Sequence, residues 1–335
     1  MTMRNASVQI HANLPSSPGL HRFAIVCVTA TFVLIFVGGL VTSTGSALAV
    51  PDWPLAFGHL VPKLVGGVRF EYGHRVVAGV VVILTAVLAA WTWHAEPRRW
   101  VRKTALAALG LIVAQAILGG ITVLLLLPLA VAVAHAATAQ AFFCLIVAIA
   151  VFTNPRFGEV SGEQPEAQKL PVARLAVVTT AVIYAQILIG ALMRHLGAGL
   201  AIPDFPLSFG GVLPPFDSVY VDVNFAHRCG ALVVTALVIS LVARIIFHRE
   251  EAGLRRPAIG LIILLMLQIT LGALTIWSGR AVIPTTAHVA IGAALLATCV
   301  TLALRAFALE HLAAAPQADK VPGNLEAVME RGVTI

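Results

Sequence analysis

Charge is what this sequence has least of. Asp, Glu, Lys and Arg make up 11% of its 335 residues, against 59% hydrophobic side chains and a mean hydropathy of +0.94. That leaves too little polar surface to coat a water-soluble globule of this size, and it points to a bilayer. Acidic residues are the scarcer sign, 15 against 22 basic ones. Cysteine is limited to Cys27, Cys144, Cys229 and Cys299, all inside apolar runs and none in a CxxC. This excludes a disulfide between loops and a paired-thiolate metal site, and the four are read as small core residues. No separate apolar core precedes the first long run, so the sequence predicts no cleaved signal peptide.

What the chain does have is uncharged runs long enough to cross hydrocarbon as helices of about 20 residues. Eight are expected: Phe23 to Val41, Val76 to Trp93, Thr104 to Leu127, Leu129 to Phe152, Leu175 to Met193, Phe225 to Ala243, Ala258 to Ser278 and Ala281 to Leu304. The charge-free stretch from Thr104 to Thr153 is too long for one span and is split at Pro128. With this topology sixteen Lys and Arg fall on one side of the membrane. Lys63, Arg69, Arg194 and Arg280 fall on the other, with Arg75 and Arg228 just inside helix starts. The bias predicts a bacterial inner-membrane protein with both termini cytoplasmic. It also accounts for most of the +7 net charge without a nucleic-acid partner.

The second half repeats the first. Pro203-Asp204-Phe205-Pro206-Leu207-Ser208-Phe209-Gly210 matches Pro51 to Gly58 at an offset of 152. His227-Arg228, Gln268 with Leu271-Gly272, and His288 match His74-Arg75, Gln115 with Leu118-Gly119, and His135 at an offset of 153. The expected organisation is an all-α membrane protein of two tandem four-helix bundles, residues 23–153 and 172–305. A cytoplasmic linker at 154–171 joins them, and tails cover 1–22 and 306–335. An even number of spans per unit points both copies the same way, so the halves are expected to be related by a pseudo-two-fold axis along the membrane normal.

Each half places two histidines in the outer part of its even-numbered spans: His74 and His135, then His227 and His288. A lone intramembrane histidine is more often a hydrogen-bonded packing residue. Four at repeat-related positions suit two pairs of axial haem ligands, with small residues making room for the macrocycle. Zinc ranks lower, because no Cys and few carboxylates stand near the pairs to complete a tetrahedral set. Arg75 and Arg228 directly follow their histidines and are candidates for pairing haem propionates, with snorkelling to lipid headgroups as the alternative. His59 and His195 lie in outer loops without repeat partners and are weaker candidates. The halves differ at one telling position, Glu71 in the first against Asn224 in the second. A carboxylate beside a haem edge takes up a proton or stabilises a developing cation, whereas Asn only hydrogen-bonds. Glu71 is therefore the candidate catalytic residue, giving a reactive first site and an electron-transfer second site.

These residues resemble the haem A synthase family. The likeness rests on Gly38-Gly39, Pro51-Asp52-Trp53-Pro54, Glu71-Tyr72-Gly73-His74-Arg75, Leu118-Gly119-Gly120, His135, Ile202-Pro203-Asp204-Phe205-Pro206, His227-Arg228 and His288, and it covers roughly residues 23 to 305. The resemblance implies a membrane enzyme that oxidises the C8 methyl group of haem O to the formyl group of haem A, for use in haem-copper terminal oxidases. It implies that His74 and His135 hold the substrate haem, that His227 and His288 hold a haem b, and that Glu71 assists the oxidation. Many members carry a Cys pair in the first outer loop, and this loop has none, so the route by which electrons leave is open. Also open as partners are a haem O synthase, a terminal-oxidase assembly factor, a quinone or other electron acceptor, and a second copy of the chain. The rival expectation is a dihaem b-type cytochrome that transfers electrons without modifying haem; a transporter ranks third.

Overall fold

Backbone amides in hydrocarbon find no water, so a chain this apolar satisfies them inside helices. The computed structural model describes residues 17–155, 157, 172–247 and 252–314. Its helices are α1 Pro18–Ser43, α2 Val68–Ala95, α3 Arg99–Leu124, α4 Leu129–Phe152, α5 Val172–His195, α6 Val219–Phe247, α7 Ala252–Trp277 and α8 Val282–Ala314. All eight are long and apolar enough to cross a membrane, and the chain is a multi-pass membrane protein. Their outer faces carry bare apolar side chains such as Ile83, Leu232, Ile263 and Ile283, each at least 60% exposed. Such a surface is stable against lipid and not against water.

Helix ends follow local chemistry. α1 starts more than a turn before the expected Phe23, because Ser17 Oγ accepts the Leu20 N–H at 3.4 Å and Pro18 takes the first helical position. The long apolar run divides at Pro128 as expected: Leu126 and Leu127 turn the chain at φ of 59° and 61° between α3 and α4. α2 and α6 begin well ahead of the expected Val76 and Phe225. Glu71 therefore shares a helix with His74, and Asn224 shares one with His227. α8 continues past the expected Leu304. Most of the expected linker at 154–171 and of the tails at 1–22 and 306–335 lies outside the described residues.

α1 packs on α2, α2 on α3, α3 on α4, and α4 back on α1; α5 to α8 close the same ring. α2 thus stands diagonally across its bundle from α4, and α6 from α8. Between the bundles, α1 packs on α8, α4 on α5, and α4 on α8. Exchanging α1–α4 with α5–α8 maps this set of contacts onto itself, which is compatible with the expected two-fold relation. Leu34, Leu88, Ile112, Phe142 and Ile146 fill the first bundle. Ile183, Leu241, Leu261 and Leu296 fill the second, which Phe143 and Val147 of α4 also reach.

Candidate functional site

Each bundle is covered at one end by a loop, residues 44–67 in the first half and 196–218 in the second. The loops close on themselves in the same way. Asp52 accepts the N–H groups of Phe57 and Gly58 at 2.7 and 2.8 Å, and Asp204 accepts those of Phe209 and Gly210 at 2.7 Å each. The N–H of Gly58 foremost holds the Asp52 carboxyl below its ordinary range, as that of Gly210 does for Asp204. Ala56 pairs with His59, and Ser208 with Gly211, around central residues at positive φ: 54° and 72° for Phe57 and Gly58, 56° and 76° for Phe209 and Gly210. Two consecutive positive φ values make a tight type I′ turn, so each loop is a preformed cover.

The arginines clamp these covers. Arg75 donates through Nη1 to the carbonyls of Asp52 and Leu55, at 2.7 and 3.0 Å, and through Nη2 to that of Val50 at 3.1 Å. Its Nη2 also meets Glu71 Oε1 at 2.6 Å. Arg228 donates to the carbonyls of Leu207 and Ile202, at 2.7 and 3.0 Å, and through Nε to Asn224 Oδ1 at 3.0 Å. Glu71 is buried, and its Oε2 accepts the Val50 N–H at 2.8 Å. Its counterpart Asn224 is also buried but donates, from Nδ2 to the Ala198 carbonyl at 2.9 Å. The first half thus keeps a carboxylate where the second half has a neutral amide.

Trp53 of the first cover lies on α3. A Cβ added at Gly120 would sit 2.6 Å from its indole Cδ2. Gly120→Ala is expected to lift the indole off the helix and to cost about 1–3 kcal/mol, the range of overpacked sites. A lowered midpoint in thermal unfolding, with altered tryptophan emission, checks this; an unchanged protein would mean that the cover yields freely.

Below the covers, the four histidines sit in one recurring arrangement. Each ring rests on a glycine of the preceding helix in its bundle, where a side chain would crowd it. A Cβ at Gly38 of α1 would lie 3.0 Å from His74 Cε1, and one at Gly119 of α3 would lie 3.1 Å from His135 Cε1. In the second half the distances are 2.9 Å from Gly190 of α5 to His227 and 3.1 Å from Gly272 of α7 to His288. The diagonal helices α2 and α4, or α6 and α8, carry the rings, and the other two helices carry their seats.

The ring centres of His227 and His288 are 6.4 Å apart, at an interplanar angle of 69°. Two imidazoles on opposite sides of one metal, with metal–nitrogen bonds of about 2 Å, have ring centres on the order of 6 Å apart. The separation of the His227 and His288 ring centres is of that order. Among the described residues no group of three or more His, Cys, Asp or Glu side chains is placed to hold a metal ion. In the first half, Nδ1 of His74 and Nδ1 of His135 are buried without a hydrogen-bond partner. His59 sits in the first turn, and His195 is half-buried at the end of α5.

Two features escaped the reading of the sequence. Gly190 stands 152 residues after Gly38, so the repeat offset marks it as the fourth seat. Gln186, one turn before Gly190, donates to the His227 carbonyl at 2.7 Å and lies 3.0 Å from His227 Nδ1. Gln115 and Gln268, which the repeat did single out, stand in the same relation to their glycines. Gln115 Nε2 donates to the His135 carbonyl at 2.9 Å and lies 3.3 Å from its Nε2. Gln268 Nε2 is 3.3 Å from His288 Nε2, and its carbonyl accepts from His288 Nδ1 at 3.1 Å.

Residues 68–300, which hold all four rings, match a family model described as COX15-CtaA, cytochrome oxidase assembly protein. A protein of Symbiobacterium thermophilum named "Heme A synthase" is 32% identical over 261 residues, which are 73% of this chain and 82% of the relative. One of the same name from Staphylococcus saprophyticus is 30% identical over 257 residues, 74% of this chain and 84% of the relative.

Proposed function

The chain belongs to the COX15-CtaA family of cytochrome oxidase assembly proteins, and from that premise we propose that it is a haem A synthase. Its substrate is haem O, whose C8 methyl group it oxidises to the formyl group of haem A. With water as the oxygen source, that change releases four electrons and four protons per methyl group, the electrons passing to an external acceptor. In this reading His74 and His135 hold the substrate in the first bundle, and His227 and His288 hold a resident haem b in the second. The observation that carries it is the 6.4 Å separation of the His227 and His288 ring centres on diagonal helices, with each ring set closely against a glycine.

Haem b, when bound, supplies a one-electron carrier. The chain's own residues do the rest. The covers, closed by Asp52 and Asp204, keep water from the outer ends of the bundles. Glu71 is the proton acceptor: Oε2 stays tied to the Val50 N–H, and Oε1, shared with Arg75, takes the proton. Arg75 and Arg228 hold the covers down. The Nε–H of Arg75 and the second N–H on each terminal nitrogen of Arg228 remain for the carboxylates of the haems. The enzyme sits in the bacterial inner membrane with both termini cytoplasmic, supported by the uneven distribution of Lys and Arg.

The test uses the full chain in detergent or nanodiscs, supplied with haem O and an artificial electron acceptor. Extracted pigment is expected to show the mass and the red-shifted pyridine haemochrome of a formyl haem. Haem O recovered unaltered, from protein whose difference spectrum shows two b-type haems, would establish the dihaem cytochrome instead.

A further inference from the structure

A guanidinium sits where the two bundles meet. Arg194, the next-to-last residue of α5, donates through Nη2 to the Gly39 carbonyl at 2.9 Å and to Ser43 Oγ at 2.8 Å, both on α1 of the other bundle. Ser43 in turn accepts from the hydroxyl of Thr286 at 2.9 Å, on α8 and two residues before His288. One polar chain thus ties the junction of α1, α5 and α8. Arg194 Nε is buried without a hydrogen-bond partner, and among the described residues no carboxylate pairs with this side chain. Arg280, in the turn between α7 and α8, brings a second positive charge close enough to repel it.

A charge set into a membrane protein without a counter-ion is costly, and a like charge beside it adds to the cost. A residue needed only to tie two helices together could do so with a neutral amide or hydroxyl. The position is also specific. Arg194 stands one helical turn beyond Gly190 on the same face of α5, and Gly190 is the glycine that receives His227. The charge of Arg194 is felt at His288 as well. In the first half the offset of 152 puts Thr42 one turn beyond Gly38, and that hydroxyl donates to the Gly38 carbonyl of its own helix at 3.2 Å. The cation therefore belongs to the second histidine pair and has no equal at the first.

We infer that Arg194 is a binding residue for a carboxylate, and that the carboxylate belongs to the haem held between His227 and His288. The inference rests on the proposed reading of the second bundle as a haem site. A haem carries two carboxylates on one edge, and a guanidinium with its Nε–H free takes such a group through a charge-assisted hydrogen bond. Arg228 offers N–H groups to one carboxylate and Arg194 to the other. The bonds to Gly39 and Ser43 fix the guanidinium before the ligand arrives, so little side-chain freedom is lost on binding. A lipid headgroup phosphate has the same oxyanion chemistry. The place of Arg194, one turn from the glycine under His227 and at the junction of three helices, favours the haem.

The experiment uses the full-length chain in nanodiscs, carrying one equivalent of iron protoporphyrin or of its dimethyl ester, and follows transfer of the pigment to excess apomyoglobin. From Arg194→Gln, the free-acid haem is expected to leave about 10–100-fold faster than from wild type, the worth of one hydrogen bond to a charged group. The dimethyl ester should leave both proteins at the same rate, because it offers Arg194 no anion. Arg194→Lys keeps a positive charge at the junction and should show the same dependence on esterification at smaller size, so the coupling is readable even if the glutamine variant fails to fold. Variants that speed release of acid and ester equally would overturn the inference and leave Arg194 as a tie between the bundles. Slow release from wild type that depends on anionic lipid in the disc and not on esterification would give the site to a headgroup phosphate, and would overturn it too. A wild-type chain that takes up neither pigment would overturn the reading of the second bundle as a haem site instead.

Discussion

Glu71→Gln is expected to lower conversion of haem O about 10²–10⁴-fold, the usual worth of a positioned proton acceptor, while leaving the spectrum of the resident haem in place. The substitution keeps the length and shape of the side chain. Its amide oxygen still accepts the Val50 N–H, which is 2.8 Å from the carboxylate in the native chain. What is lost is the negative charge and the bond to Arg75, 2.6 Å long at a pair whose side chains are 5% and 17% exposed. Arg75 retains its bonds to the carbonyls of Val50, Asp52 and Leu55, so the cover has other anchors. The assay follows formyl haem production, and the control is the reduced-minus-oxidised spectrum with a thermal unfolding curve. Conversion at the wild-type rate would remove Glu71 from the chemistry. Loss of the haem spectrum and of stability along with activity would make the carboxylate an anchor for the loop and nothing more.

His227→Ala should leave the purified protein almost without resident haem, whereas His74→Ala should keep that haem and fail in handling haem O. The difference follows from how the two rings are held. His227 lies 6.4 Å, centre to centre, from His288 and is fixed by Gln186 on its own carbonyl and near its Nδ1. In the proposed reading, losing one of the two histidines would leave the haem held from one side only, with the gap left by the ring open to exchange. His74 belongs to the other bundle, so its loss leaves the α6 to α8 pair untouched. Pyridine haemochrome quantitation per polypeptide checks both variants. Equal loss of haem from the two would dissolve the division of labour between the halves.

How much of this was legible beforehand varies by residue. The eight spans were, because long uncharged runs leave a backbone in lipid one way to pair its amides. The break at Pro128 was readable for the same reason. Gly38 stood out as a small residue at the end of the first span, and Gly119 and Gly272 as landmarks of the repeat, but that each receives a histidine ring was not legible. Gly190 needed only the same offset to be applied once more.

The contacts of Arg75 and Arg228 with the covers, and those of Gln186 with His227, were not legible. Arg75 stood as a candidate for pairing a haem propionate or for snorkelling to headgroups; in the structure four of its five N–H groups go to Glu71 and to three carbonyls of the cover. Backbone carbonyls are present at every residue, so no sequence pattern marks which of them a guanidinium will choose. Gln186 is one polar residue in an apolar span. Its meaning depends on His227, 41 positions away, and on the glycine at 230 that gives it room.

By itself the sequence determined eight apolar stretches long enough to cross a membrane and a repeat between the two halves, each with a histidine pair and only the first with a glutamate beside it. Composition and periodicity suffice for that, because burial in lipid acts on each segment separately. The tertiary structure decided which helices stand diagonally, which glycine receives which ring, and which of the four rings goes without an amide. Those depend on how neighbouring helices are juxtaposed, which no single segment fixes alone.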